Sequence, residues 1–359
     1  MFPVEALDVQ PNHKVMDLCA SPGGKSTHIA TKLSSHGLLV ANEVTSSRVT
    51  ALLHNLERFG SPYCAVTSCR AESLAEALPA YFDRVLVDAP CSGEGLFRKE
   101  PLSRQEWHPR HAQRLARTQF NLLSAAFTML KAGGRLVYST CTFAEEENEW
   151  LVDSFLAEHP EAYVFPLVAN SVGPEITSQG YARLLPHLVT GEGHFCAVLG
   201  KKEKRPATSG AAKNMLNEIP KGDAMSAWTE FIKTNLPILP DGTSLHRHSD
   251  KLYLIASETP DLSRCNLIRP GILIGRFSGR SFVPEHGLAL AAFPRGLPAL
   301  DFHPEDPSLV AYLRGEALDA DAAIPKGWLM ITCDGFSLGL GKHSDGRINN
   351  RLPKGLRLL

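Results

Sequence analysis

Absent from the 359 residues are any apolar run long enough to cross a bilayer, any CxxC half-site, any internal repeat and any low-complexity tract. Without the first, no membrane-spanning helix is expected. Without the second, no paired-cysteine metal site is expected, and the eight scattered cysteines read as free thiols of a reducing cytoplasm. An excess of charge of one sign is missing too, since 37 Lys and Arg stand against 38 Asp and Glu for a formal net charge of −1. Bulk charge therefore does not announce a nucleic-acid binder, although the basic residues cluster locally. The opening stretch Met1–Leu7 lacks leader character and runs almost directly into a strand. The chain is thus expected to begin inside a domain.

What is present is the composition of a globular protein with real cores, 43% hydrophobic and 21% charged, at a length that suits two or three domains. The first half alternates strand and helix signals. Val15–Leu18 is a short apolar run, followed by a Pro-Gly-Gly turn and a helical segment from Lys25 to Leu33. Gly37–Ala41 is a second strand, ending at Asn42-Glu43, and Val49, Leu52, Leu53 and Leu56 then repeat at helical spacing. Arg84–Val87 is a buried strand ending at Asp88. The stripe Leu115, Leu122, Leu123, Ala126, Phe127, Leu130 predicts a helix that Gly133-Gly134 stops before the strand Arg135–Tyr138. Repeated units of this kind imply a parallel sheet with helices on both faces. From Lys201 to Gly210 the texture turns charged and poor in apolar residues, as in a linker. Beyond it, a helix is predicted over Trp228–Leu236, with strands at Leu252–Ile255 and Gly327–Ile331, a small mixed α/β or barrel-like module.

Three constellations sit at strand ends, where open α/β sheets bind ligands. The first is Asp17-Leu-Cys-Ala-Ser-Pro-Gly-Gly-Lys-Ser26, in which a helix start can offer free N–H donors to a carboxylate or phosphate. A Walker loop requires glycine at position 19, where Cys19 stands, and the dinucleotide fingerprint is absent. Two readings stay open, a plain structural turn and a methionine-nucleoside site with Glu43 accepting from the ribose. The second constellation is Asp88-Ala-Pro-Cys-Ser-Gly93, and the third is Tyr138-Ser-Thr-Cys-Thr142. One cysteine at a strand end is more often a small buried hydrophobe than a nucleophile. Two of them, each flanked by hydroxyl residues on the same sheet edge, shift those odds.

The runs Asp17–Ser26, Asn42-Glu43, Asp88-Ala-Pro-Cys-Ser-Gly-Glu-Gly95 and Ser139–Thr142 resemble the Nop2/Sun family of RNA (cytosine-5) methyltransferases, in the family's order across residues 1 to 200. Leu267–Gly271, His286–Leu290, Trp328 through Lys342 and Arg351–Arg357 resemble the RsmF-type bacterial branch, which methylates small-subunit ribosomal RNA. The resemblance implies a Rossmann-like α/β methyltransferase domain over residues 1–200, with a doubly wound, mostly parallel sheet. A linker over 201–225 and a C-terminal RNA-binding region over 226–359, ending in a PUA-like module, are implied to follow. It implies S-adenosylmethionine as cofactor, held by Cys19, Ala20, Ser21, Pro22, Gly23, Gly24, Lys25, Glu43, Arg48 and Asp88, and no metal. Cys141 is implied as the nucleophile that adds to carbon 6 of cytosine, Cys91 as the group that assists release, Asp88 as a hydrogen-bond partner at N3, and Lys25 as a further active-site residue.

Two departures from the family pattern stand out. The family's N-terminal RNA-binding segment and an early adenosyl-binding motif have no counterpart in the chain, and the acidic adenine contact after the third strand has only Glu72 as a candidate. Carbon 6 is hidden in a stacked helix, so the target base must be single-stranded or flipped. Arg98, Lys99, Arg104, Arg110, Arg114 and Arg117, with Trp107 and His108 among them, form one candidate RNA surface. Lys342, Arg347, Arg351, Lys354 and Arg357 form a second. The expected partner is RNA, most simply 16S rRNA of the small subunit or its precursor. The alternatives are the same chemistry on transfer RNA, and an RNA-binding assembly factor that retains the fold without catalysis.

Overall fold

The structure is a computed structural model that describes residues 1–99, 104, 107–167, 175–203, 222–235, 238–291, 297–321 and 323–358. Most of the expected linker, residues 204–221, lies outside the described residues. The chain divides into two compact units: Met1–Leu52 with Val66–Lys213 and Pro260–Ile268, and Leu53–Ala65 with Asn214–Thr259 and Arg269–Leu359.

Elements are numbered in chain order. The chain opens with α1 (Phe2–Leu7), β1 (Lys14–Asp17), α2 (Gly24–Lys32), β2 (Leu38–Asn42), α3 (Ser46–Phe59), β3 (Cys64–Thr67) and α4 (Ala71–Ala77). Next come β4 (Phe82–Asp88), α5 (Pro109–Met129), β5 (Leu130–Thr140), α6 (Glu149–Glu158), β6 (Ala162–Val164), β7 (Glu175–Ile176), β8 (Ala182–Leu184) and β9 (His194–Lys201). The sheet order is β3-β2-β1-β4-β5-β9-β8-β7, with β6 also paired to β9. All of β2 is buried, as are Val15, Met16 and Asp17 of β1, which is why these strands read as unbroken apolar runs.

β1 pairs in parallel with β2 and β4, and β4 with β5. The registers Asp17↔Ala41 and Asp88↔Ser139 bring the carboxyl ends of these strands to one edge. Strand order reverses between β1 and β4, so that edge opens a cleft at the switch point. β9 runs antiparallel to β5, with Phe195 opposite Thr140. Its first residue, His194, therefore arrives at the edge where the other strands end.

The α5 stripe divides. Leu123, Ala126 and Phe127 are buried, and the Phe127 ring meets Phe155 of α6 edge-on at 5.3 Å. Leu115 and Leu122 are only half-buried. The helix stops at Met129, not at Gly133-Gly134. Leu130 already pairs with Phe82, and Lys131 makes an ion pair with Asp83 at 2.7 Å, so the glycines lie inside an irregular β5.

In the second unit, α7 spans Asp223–Asn235, covering most of the predicted helix, whose Leu236 lies outside the described residues. The strands β10 (Thr243–His248), β11 (Lys251–Ala256), β13 (Ile272–Ser278) and β14 (Ser281–Pro284) form an antiparallel sheet. The intervening β12 (Leu267–Arg269) belongs instead to the large sheet, beside β3. Leu252 and Leu254 alternate inward from β11 and pack with Ala227, Trp228 and Phe231 of α7, Phe282 of β14 and Leu288 of α8 (His286–Ala291).

A second sheet, in the order β15-β17-β18-β19-β16, comprises Ala299–Phe302, Gly327–Cys333, Phe336–Ser344, Arg347–Asn350 and Leu318–Asp319 respectively. It packs on α9 (Pro307–Arg314) through Leu309, Tyr312, Leu329, Ile331 and Ile348. Truncating Trp228, 4% exposed against Phe231 and Phe282, to Ala is expected to destabilise this unit by about 3–5 kcal/mol in equilibrium unfolding. A loss under about 1 kcal/mol would show that the cluster does not carry the fold.

Candidate active site

The β1–α2 turn is built on a buried acid. Asp17 is fully buried at the end of β1, where Ser26 of α2 donates its hydroxyl at 2.6 Å. Burial pushes the Asp17 carboxyl up to about 7, outweighing the Ser26 hydrogen bond. Gly23, the residue before α2, has φ of 111°, a conformation open to glycine alone without strain. The turn is tied to the start of α3 by two reciprocal bonds. Ser21 Oγ donates to the Arg48 carbonyl at 2.9 Å, and the Arg48 guanidinium donates to the Ser21 carbonyl at 2.8 Å.

At the end of β2, Asn42 joins three strand ends. Its amide donates to the Leu18 and Cys69 carbonyls at 3.2 and 3.1 Å, and its carbonyl accepts from the Thr67 hydroxyl and Cys69 amide at 3.0 and 3.1 Å. Glu43, 3% exposed, accepts from the Thr45 amide through Oε1 at 2.8 Å. Its Oε2 is buried 3.3 Å from the Arg48 guanidinium and takes no hydrogen bond from the described residues.

β4 and β5 deliver the two cysteines. The sulfurs of Cys91 and Cys141 lie 3.1 Å apart, and the Cys141 amide donates to the Cys91 sulfur at 3.2 Å. The thiol–thiol hydrogen bond pushes Cys91 up and holds Cys141 below its ordinary value, and the Lys25 ammonium lowers Cys141 further. Of the pair, Cys141 is thus the sulfur whose ionisation the contact favours.

Asp88 accepts from Lys25 Nζ at 2.7 Å through Oδ2 and from Ser139 Oγ at 2.8 Å through Oδ1. His194 Nε2 is 3.6 Å from Oδ1, an ion-pair distance and too long for a hydrogen bond. Burial alone would raise the Asp88 carboxyl, but His194 and Lys25 outweigh it and hold the group well below the usual carboxylate range.

A second layer fixes the cysteine loops. Gln119 of α5 donates to the Pro90 carbonyl at 2.8 Å and to Glu147 at 2.6 Å, and Glu147 also accepts from the Ser92 amide at 3.0 Å. Asn148 binds the Thr140 hydroxyl at 2.6 Å and the Thr142 carbonyl at 3.0 Å. The Gly95 amide donates to the Cys141 carbonyl at 2.8 Å, and a Cβ at residue 95 would sit 2.6 Å from the Gly193 carbonyl oxygen. Glycine is required there for that close approach.

These pieces surround a cavity of about 820 Å³ lined by Cys19, Ser21, Pro22, Glu43, Arg48, Glu72, Asp88, Cys91 and Cys141 among others. That volume suits a nucleoside-sized ligand with room to spare. Ala20, Gly23, Gly24 and Lys25 do not line it, and Lys25 reaches the cavity only through Asp88. Leu115 and Leu122 of α5 and Trp107 complete the wall. His194, Gln119, Glu147 and Asn148 escape a search for strand-end motifs, because they stand at a strand start or on helices and loops behind the site. Among the described residues, no group of three or more His, Cys, Asp or Glu is placed to hold a metal ion.

Strand order and switch-point cleft define a Rossmann-like methyltransferase fold of the kind that uses S-adenosylmethionine. The chain belongs to the 16S rRNA methyltransferase RsmB/F family, whose model matches residues 4–200. Residues 230–291 match the RsmF rRNA methyltransferase first C-terminal domain, and residues 299–358 match the methyltransferase RsmF PUA domain. Ribosomal RNA small subunit methyltransferase F of Shewanella loihica is 32% identical over 373 residues, spanning 99% of this chain and 76% of that protein. The protein of the same name in Escherichia coli O139:H28 is 32% identical over 371 residues, with the same two shares of 99% and 76%. The crystal structure of NSun6 from Pyrococcus horikoshii with SFG, an S-adenosylmethionine analogue, is 30% identical with a TM-score of 0.51, covering 56% of this chain and 51% of that one.

A carboxyl raised by folding stabilises the fold fully below its unfolded value near about 4 and loses that contribution as pH climbs through its folded value. For Asp17 the window runs from about 4 to about 7. Asp17→Asn is expected to flatten the dependence of melting temperature on pH across that window. An unchanged slope would mean that the carboxyl is ionised in the folded protein.

Proposed function

We propose that this chain methylates carbon 5 of a cytosine in 16S ribosomal RNA, with S-adenosylmethionine as donor and Cys141 as nucleophile. The observation that carries this reading is the 3.1 Å contact between the Cys141 and Cys91 sulfurs on the wall of the cavity that Glu43 also lines. Carbon 5 of cytosine is a poor nucleophile until a thiolate adds at carbon 6 and makes it enamine-like. Cys141, lowered by its partner thiol and by Lys25, is suited to that addition. Cys91, kept protonated by the same contact, is suited to assist breakdown of the adduct afterwards.

Bound S-adenosylmethionine supplies an electrophilic methyl group. The residues fit that donor: the buried Oε2 of Glu43, ion-paired with Arg48 at 3.3 Å, takes no hydrogen bond from the described residues and can accept one from a ribose hydroxyl. Cys19, Ala20, Ser21, Pro22, Gly23, Gly24 and Arg48 form the adjoining turn and its tie to α3, and Glu72 stands on the far wall as the candidate adenine contact. Asp88 faces the base. An ionised carboxylate only accepts hydrogen bonds, so it would hold an N3–H formed during addition, not the bare N3 of the free base.

We assign residues 1–200 to catalysis, 201–225 to a linker and 226–359 to RNA binding, an arrangement supported by where the three family matches begin and end. Arg98, Lys99, Arg104, Arg110, Arg114 and Arg117 are all exposed, as a phosphate-binding surface requires. Among the described residues no helix is long and apolar enough to cross a membrane. An enzyme acting on ribosomal particles works in the cytoplasm.

Incubation with labelled S-adenosylmethionine and small ribosomal subunits, then mapping of the modified base, is expected to yield one 5-methylcytosine. Methyl transfer should fall to background in Cys141→Ala with RNA binding intact, and full activity in that variant would remove the nucleophile. Cys91→Ala should accumulate a covalent RNA adduct, seen as a slowed band under denaturing conditions. If that variant turns over normally with no adduct, the release role is wrong.

A further inference from the structure

Asp88 is already anchored without His194. Lys25 holds one carboxylate oxygen at 2.7 Å and Ser139 the other at 2.8 Å. A third group placed against the Ser139-bound oxygen is not needed for aim. His194 nevertheless stands there, with Nε2 shielded from solvent, 3.6 Å from Asp88 Oδ1 and without a hydrogen bond among the described residues. The side chain as a whole is 20% exposed and that of Asp88 29%, so the imidazole borders a half-buried carboxylate and forms a second link from it to solvent. The reaction proposed above makes a demand that such a link meets. Addition at carbon 6 drives an electron pair onto N3, and Asp88, kept ionised, holds no proton to give.

We infer that His194 supplies the proton that Asp88 passes to N3 of the target cytosine. This step rests on the cytosine-5 reading. As the Cys141 sulfur bonds to carbon 6, the ring π electrons shift and the C4=N3 pair comes to rest on N3. N3 takes a proton from the Asp88 carboxyl, which has drawn it from His194 Nε2 once substrate binding has tightened their 3.6 Å separation to a hydrogen bond, leaving a neutral imidazole. After methylation, carbon 5 loses its proton to a separate base, the carbon–sulfur pair returns to Cys141, and the N3 proton travels back to His194. His194 ends as it began.

The charged and titratable groups around the pair include Lys25 from α2, the Met1 amino group, Asp17 at the end of β1, Cys19 after it, Tyr138 on β5, Cys141 after β5 and Cys196 on β9. Of the two basic side chains within ion-pair reach of Asp88, the imidazole is the one with both a donor and an acceptor form, as a proton relay requires. His194 acts through Asp88 and is a positioning residue for the proton, not a substrate contact.

Steady-state methylation of small ribosomal subunits by the full chain tests this with His194→Gln, which keeps a donor near Nε2 but cannot ionise, and His194→Phe. Both are expected to lower kcat by about a hundredfold, leave KM for S-adenosylmethionine within about twofold, and abolish the alkaline fall in the pH profile of kcat. If His194→Gln runs at the wild-type rate with the wild-type profile, the residue provides only a hydrogen bond or packing, and the proton role is overturned. The glutamine variant decides the matter even if the phenylalanine variant fails to fold. Wild-type protein that makes no 5-methylcytosine removes the underlying reading, whereas an active wild type with an unaltered His194→Gln removes this step alone.

Discussion

The register of β4 against β5 governs the site. Because Asp88 lies opposite Ser139, the loops that leave the two strands start level with each other, and the cysteine three residues after Asp88 meets the one two residues after Ser139. A slip of one residue would turn alternate side chains to the opposite face and part the sulfurs. The same register lets Ser139 bond Asp88 directly, so the carboxylate and the thiols are fixed by one pairing. Lys25, delivered by the neighbouring β1–α2 turn, then completes a small electrostatic unit. Its ammonium keeps Asp88 ionised and lowers Cys141.

Much of this could be read in the sequence, for identifiable reasons. β2, most of β1 and the Val85–Val87 stretch of β4 are buried and announce themselves as apolar runs, and β2 and β4 end in Asn42 and Asp88, which line the cleft. Asp17, Glu43, Asp88 and Cys141 were legible because parallel strands place functional side chains at their carboxyl ends. His194 obeys the opposite rule. It precedes Phe195 in a strand that runs antiparallel, and no local pattern tells a reader which way β9 points. Gln119 and Glu147 were illegible for another reason: their value lies in holding Pro90 and Ser92 in place, a three-body relation that no spacing encodes. The end of α5 was misplaced because a glycine pair resembles a helix stop, whereas tertiary pairing of Leu130 with Phe82 ended the helix earlier.

The basic residues divide by environment in a way that composition hides. Lys342 and Arg351 both stand 5.4 Å from the centre of the Trp328 ring, so two exposed cations and one aromatic face share a site in the second unit. Arg357 does not join them freely, since its guanidinium bonds the Leu352 carbonyl at 3.1 Å. In the first unit Arg98 is engaged with Glu192 at 3.0 Å and the Gly191 carbonyl, yet stays 70% exposed, a pairing that salt screens and that a phosphate can displace. Net charge near zero is compatible with both surfaces, because local arrangement sets the field that a nucleic acid meets.

The proposed chemistry rests on the division of labour between two adjacent sulfurs, and a trapped adduct examines it most directly. Ribosomal RNA transcribed with 5-fluorocytidine and assembled into small subunits offers a base whose C5 fluorine cannot leave as a proton does, so the covalent stage persists after methyl transfer. Digestion and peptide mass spectrometry then locate the attached nucleotide. Attachment is expected at Cys141, with Cys91 unmodified. Attachment at Cys91, or methylated RNA recovered with neither cysteine bonded, would contradict it.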